Sequence, residues 1–210
     1  CATFPGMRDK SSEGGKADLA FAKQLMADAG YPDGFTVKYD ARQVGNYPDV
    51  CSVVKQQLSD TLGIEGNIAT HESAAGYALF GTSRAGTGDW ELACQGEGMT
   101  VLDPDALLGG VYLKGGTRNY TDWEPEIART AFEAQKVEQD PAKRQQLLKD
   151  YEDFLVPTNP DDISQGFDDN HWVTLYWGQF FWLTHEDIRG FNAPATVQYS
   201  FKHEDLWLDR

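Results

Sequence analysis

The residue pattern predicts an α/β chain with helices packed on a sheet, and three observations carry that expectation. Helical and strand periodicities alternate through the first half of the sequence. The stretch from Leu19 to Phe35 writes a complete helix, stop and strand start. The 210 residues are 40% hydrophobic and 12% aromatic, enough to bury a sizeable core.

In the first predicted helix, about Ala17 to Ala29, Leu19, Ala22, Leu25, Met26 and Ala29 recur at helical spacing. Gly30 supplies the residue past its end, Pro32 forbids continuation, and a strand is predicted over Phe35 to Asp40. A second helix, about Pro48 to Leu62, aligns Val50, Val54, Leu58 and Leu62 and stops at Gly63. Ile64 to Thr70 reads as a strand, Ser73 to Thr82 as a helix capped by Ser73, and Trp90 to Cys94 as a further strand. Beyond it, Pro104 to Leu113 reads as a short helix or turn, and Glu124 to Glu138 and Pro141 to Leu155 as longer helices. The second of these is opened by Asp140-Pro141, a good cap followed by Pro at the first helical position. The 156–171 stretch is rich in Pro, Asn and Asp and reads as a loop. Trp172 to Trp177 and Phe180 to Leu183 then read as two buried aromatic strands, and Asp205 to Asp209 as a short strand or docking segment.

A net charge of −15 argues against a nucleic-acid groove or an anionic membrane surface as partner. No run approaches the roughly 18 to 20 apolar residues of a membrane span. Cys1 opens the chain as a lipidated terminus or, the favoured reading, as a fragment boundary or processed end. Cys1, Cys51 and Cys94 are too few and scattered for a disulfide scaffold or a CxxC metal site, so Cys51 and Cys94 are expected to be small buried hydrophobes. The four histidines form no HxxxH or HExxH pair, the paired aspartates lack EF-hand spacing, and neither GxSxG nor a P-loop occurs. No enzyme, metal or cofactor is therefore expected.

Ligands of open α/β sheets sit beyond the carboxyl ends of the strands, which makes the loop after Cys94 the first candidate site. It comprises Gln95, Gly96, Glu97, Gly98, Met99 and Thr100, and its glycines allow backbone amides to approach a ligand.

Segments spread over nearly the whole chain resemble the extracellular solute-binding proteins of family 5, receptors of bacterial ABC importers. Ala22 to Phe35 resembles that family's "AKxLLAEAGYPDGF", Leu102 to Leu108 its "DYPDPxxFL", Arg118 to Ile127 its "xRNYSGYSNPEVD", Asp140 to Arg144 its "DPAKR", and Asp205 to Asp209 its "DVWLD". The resemblance implies one lobe of a periplasmic-binding-protein-like (type II) α/β fold, with a mixed sheet and flanking helices. Residues 1–191 would form the C-terminal ligand-binding lobe, and residues 192–210 a tail returning toward an N-terminal lobe that this sequence lacks. It also implies a periplasmic or cell-surface receptor for an oligopeptide or similar small solute, with a membrane permease as partner. An isolated lobe is then expected to bind weakly. Tyr77 and Arg84 match an aromatic and an Arg lining the site in peptide-binding members, and Asn119, Tyr120 and Trp123 are further candidates. The chain departs from the pattern by placing Thr100 and Glu97 where peptide receptors carry an Asp and an aromatic, which leaves a receptor or module for neutral oligosaccharides as the alternative. Two rivals from other classes are a self-contained carbohydrate-binding module, suggested by six tryptophans, and a glycosidase using Glu97 and Asp103.

Overall fold

The computed structural model describes residues 9–85, 88–98, 103–155, 172–176, 178, 182–192 and 203–209, with the side chains of residues 84, 85 and 203 left aside. Helix α1 (Glu13–Asp28) starts at Ser12, whose hydroxyl accepts from the Gly15 N–H. It is followed by β1 (Tyr39–Arg42), α2 (Tyr47–Leu62), β2 (Ile68–His71), α3 (Ser73–Gly81) and β3 (Leu92–Cys94). The three strands form one parallel sheet in the order β2-β1-β3. The α/β class holds, and the antiparallel character resides in a separate pair, β4 (Ile188–Arg189) with β5 (Trp207–Leu208).

The central strand β1 is buried on both faces, and its period of two divides the work. Tyr39 and Ala41 join Cys51 of α2 and Cys94 of β3 in one apolar cluster. Asp40 and Arg42 point the other way, toward α3, where Arg42 Nη2 donates to Ser73 Oγ at 3.1 Å. Gly76 makes this packing possible: a Cβ there would come within 2.6 Å of Arg42 Cγ.

The second half is helical. Helix α4 (Pro104–Leu107) runs into a single wide turn over Leu108–Tyr112, and α5 (Glu126–Val137) and α6 (Pro141–Leu155) follow. Leu108, Val111, Tyr112 and Leu113 pack with Ala128, Ala131 and Tyr151 as a second core. Asp140 caps α6 as expected, accepting from the Ala142 N–H at 2.9 Å. Arg144 of α6 ties the helices to the start of α4 through Asp103 at 2.6 Å and Gln135, which in turn donates to Asp105 at 2.7 Å.

Four expectations are corrected. The strand predicted over Phe35 to Asp40 lies later, because Thr36 makes only an isolated bridge to Glu65 and the regular ladder begins at Tyr39. Glu72, not Ser73, caps α3: its carboxylate accepts from the Ala74 and Ala75 N–H groups, which frees the Ser73 hydroxyl for Arg42. Residues 172–176 are irregular, with Val173, Leu175 and Tyr176 exposed, so an apolar run there has found no ladder partner; Trp177 and residues 179–181 lie outside the described residues. Cys51 and Cys94 are buried as expected but are joined in a disulfide, with Cα atoms 5.6 Å apart. Their 43-residue separation hides a proximity that parallel pairing creates, since Cys94 stands beside Ala41 under α2.

The turns after α1 and α2 pack back to back. Gly34 has φ +88°, and a Cβ on it would fall 2.0 Å from the Gly63 carbonyl oxygen. Gly34→Ala is therefore expected to destabilise the fold by about 2 kcal/mol or more, since strain at positive φ adds to a backbone clash. A urea midpoint equal to that of the parent chain would contradict this.

Candidate functional site

The carboxyl ends of the three parallel strands converge on one cluster. Strand β1 delivers Arg42, β2 delivers His71, and β3 runs into Gln95, Gly96 and Glu97. Tyr47 from the first turn of α2, Tyr77 from α3 and the Arg118–Tyr120 segment complete it.

Tyr77 lies between two guanidinium groups, with Arg42 Cζ 3.6 Å and Arg118 Cζ 4.1 Å from its ring centroid. Arg118 Nη1 donates to Tyr120 Oη at 3.2 Å, and its Nε stands 3.5 Å from Glu97 Oε2. Tyr120 packs edge-on against Phe80, whose ring also meets Trp90, so the polar cluster rests on an aromatic floor. Gly96 lets the loop lie against Tyr47, where a Cβ would come 2.4 Å from the phenol oxygen. Beside Arg42, Asp40 Oδ1 and His71 Nε2 are 2.7 Å apart, a contact that orders the end of β2 against β1.

The cluster carries unused bonding capacity. Arg42 is only 5% exposed, yet its Nε and Nη1 are buried with no hydrogen-bond partner among the described residues. Gln95 Oε1 and Glu97 Oε1 are in the same condition. Buried donors and acceptors without partners cost about 1–3 kcal/mol each, so a cluster of them at a strand end makes this the candidate site for an external polar group. A cationic donor set beside acceptors suits a small polar solute carrying a carboxylate or similar oxyanion.

Burial pushes the Glu97 carboxyl above its ordinary value, against the opposing pull of Arg118 and then Arg42. The folded chain therefore holds this proton more tightly than the unfolded chain. The group's contribution to stability is greatest below the ordinary 4.5 and declines as pH rises from there through the raised folded value. Glu97→Gln is expected to flatten the urea midpoint against pH in that window. An unchanged slope would contradict the assignment.

Of the residues singled out in the sequence, Tyr77, Gln95, Gly96, Glu97 and Tyr120 are brought together. Gly98 is exposed at the end of the loop; Met99, Thr100 and the Arg84 side chain lie outside the described residues. Asn119 is buried and donates to the Trp123 carbonyl at 2.6 Å, holding its own turn, and Trp123 packs on the helical core. Asp103, the partner of Glu97 in the glycosidase reading, caps α4 and pairs with Arg144. Sequence reasoning missed Arg42, Tyr47 and Arg118. The strand-end rule finds Arg42 once β1 is carried two residues beyond Asp40. Among the described residues, no group of three or more His, Cys, Asp or Glu side chains is placed to hold a metal.

A parallel sheet flanked by helices, with its candidate site at the strand carboxyl ends, defines the architecture of a type II periplasmic-binding-protein-like lobe. No protein-family model and no curated protein matches the sequence. Solved structures do. HbpA2 from Haemophilus parasuis matches at 25% identity and a TM-score of 0.56, over 68% of this chain and 28% of that one. The ABC transporter-associated periplasmic binding protein DppA from Helicobacter pylori, solved with the peptide STSA, matches at 24% identity and 0.58, over 68% and 28%. OppA from Burkholderia pseudomallei matches at 17% identity and 0.60, over 73% and 30%. The chain thus has the fold of a partial lobe of the family 5 solute-binding proteins its sequence resembles, and it spans about 28% of the length of the first two of these structures.

Proposed function

We propose that this chain is the C-terminal lobe of the solute-binding component of an ABC importer, which captures an oligopeptide or similar small solute between two lobes and delivers it to a membrane permease. The observation that carries the reading is Arg42, a buried guanidinium at the carboxyl end of the central strand, two of whose nitrogens have no partner among the described residues. Glu97, one of whose oxygens has no partner among the described residues, supplies a negative group for the amine of the same solute. The N-terminal lobe is the partner that closes over this face, and closure follows because a solute touching both lobes favours the closed state. The Cys51–Cys94 disulfide supports a site of action outside the cytoplasm, where such bonds persist. No described helix is long and apolar enough to cross a membrane.

Native mass spectrometry on the two-lobed receptor, purified gently from its source so that both lobes hold the solute, tests the reading. A retained noncovalent adduct whose fragments are amino acids is expected. An adduct built of hexose units would replace the peptide reading with the neutral-oligosaccharide one.

A further inference from the structure

We propose that the Cys51–Cys94 disulfide is a positioning element of the ligand loop, holding Gln95–Glu97 at the mouth of the site. The inference rests on the reading of that loop as ligand-binding.

Three observations carry it. Strand β3 is three residues long and among the described residues pairs with β1 alone, so Cys94, opposite Ala41, is the last residue of that ladder. The loop leaves the ladder there, and the disulfide fastens the chain at that point to α2, the helix that packs on the same sheet. The helix then touches the loop a second time, one turn earlier: Tyr47 packs so closely on Gly96 that a Cβ there would come 2.4 Å from its phenol oxygen. A covalent anchor before the loop and a packing contact within it set where Gln95 and Glu97 present their side chains. Both sulfurs belong to buried residues, Cys51 fully and Cys94 at 8% exposure, so the bond lies beneath the site and leaves its face open for a solute.

A structural staple for the whole sheet would protect β1 and the loop alike, whereas a positioning element acts on the loop. The experiment compares amide hydrogen exchange in the oxidised chain, the chain reduced with dithiothreitol (which leaves as its cyclic disulfide) and the C51A/C94A variant. Exchange at Gln95, Gly96 and Glu97 is expected to accelerate at least about tenfold more than at Tyr39–Arg42, as local opening separates from global unfolding. The Glu97 carboxyl, followed by carbon NMR, is expected to titrate closer to its ordinary range once the loop moves into water. Equal acceleration of β1 and the loop, no acceleration in the loop, or loss of the fold in both altered forms would each overturn the proposal. No ligand is needed, so its failure is distinguishable from failure to bind a peptide.

Discussion

Arg42→Met is expected to lower affinity for a tripeptide with a free carboxyl terminus by about 2 kcal/mol or more, roughly thirtyfold, as truncating a buried charged partner does. Met fills much of the space of Arg without its charge, so no large cavity opens at the end of β1. The fold is not expected to suffer in proportion. Removing the guanidinium takes away two buried nitrogens that lack partners among the described residues, and this offsets the lost stacking on Tyr77 and the lost bond to Ser73. Isothermal titration with Ala-Ala-Ala, beside a urea melt, separates the two effects. A variant that binds like the parent would remove Arg42 from the site. A variant that simply unfolds would make it a structural residue.

Phe80→Ala is expected to have the largest effect on stability, about 3–5 kcal/mol, because a fully buried ring is replaced by a cavity. Phe80 is 0% exposed and makes edge-to-face contacts with Trp90 at 5.6 Å and Tyr120 at 5.8 Å between ring centroids. Its loss reaches the site, since Tyr120 orients Arg118 and Arg118 faces Glu97. Weaker binding is expected even under conditions where the variant remains folded. A urea midpoint close to that of the parent chain would show that the aromatic floor repacks and that the helical half and the sheet are joined elsewhere.

The elements that local chemistry dictates were legible in the sequence. Helix α6 begins where the Asp140-Pro141 start places it, and α2 stops at Gly63, whose positive φ is the usual helix terminus. What depends on tertiary pairing was less legible. The Cys51–Cys94 bond requires knowing that β3 runs parallel to β1, which residue spacing does not encode. The strand predicted to end at Asp40 leaves Arg42 outside it, whereas the ladder continues through Ala41 to Arg42, and the close packing of Gly76 on Arg42 follows only from that pairing. The aromatic run at 172–176 shows the converse failure: a strand signal needs a partner edge, and none meets it among the described residues. The site was half legible for the same reason. Tyr77, Glu97 and Tyr120 belong to segments with recognisable motifs, whereas Tyr47 and Arg42 matter only because the strand ends converge.

The most direct test of the central claim is a nitrogen-15 NMR titration of this chain with Ala-Ala-Ala, its carboxyl-terminal amide and maltotriose. Shifts confined to Arg42, Tyr47, Tyr77 and Gln95–Glu97 are expected with the free tripeptide, and markedly weaker ones with the amide, which lacks the charge Arg42 completes. Shifts from maltotriose at the same residues, or no shift at Arg42 and Glu97 with saturating tripeptide, would contradict it.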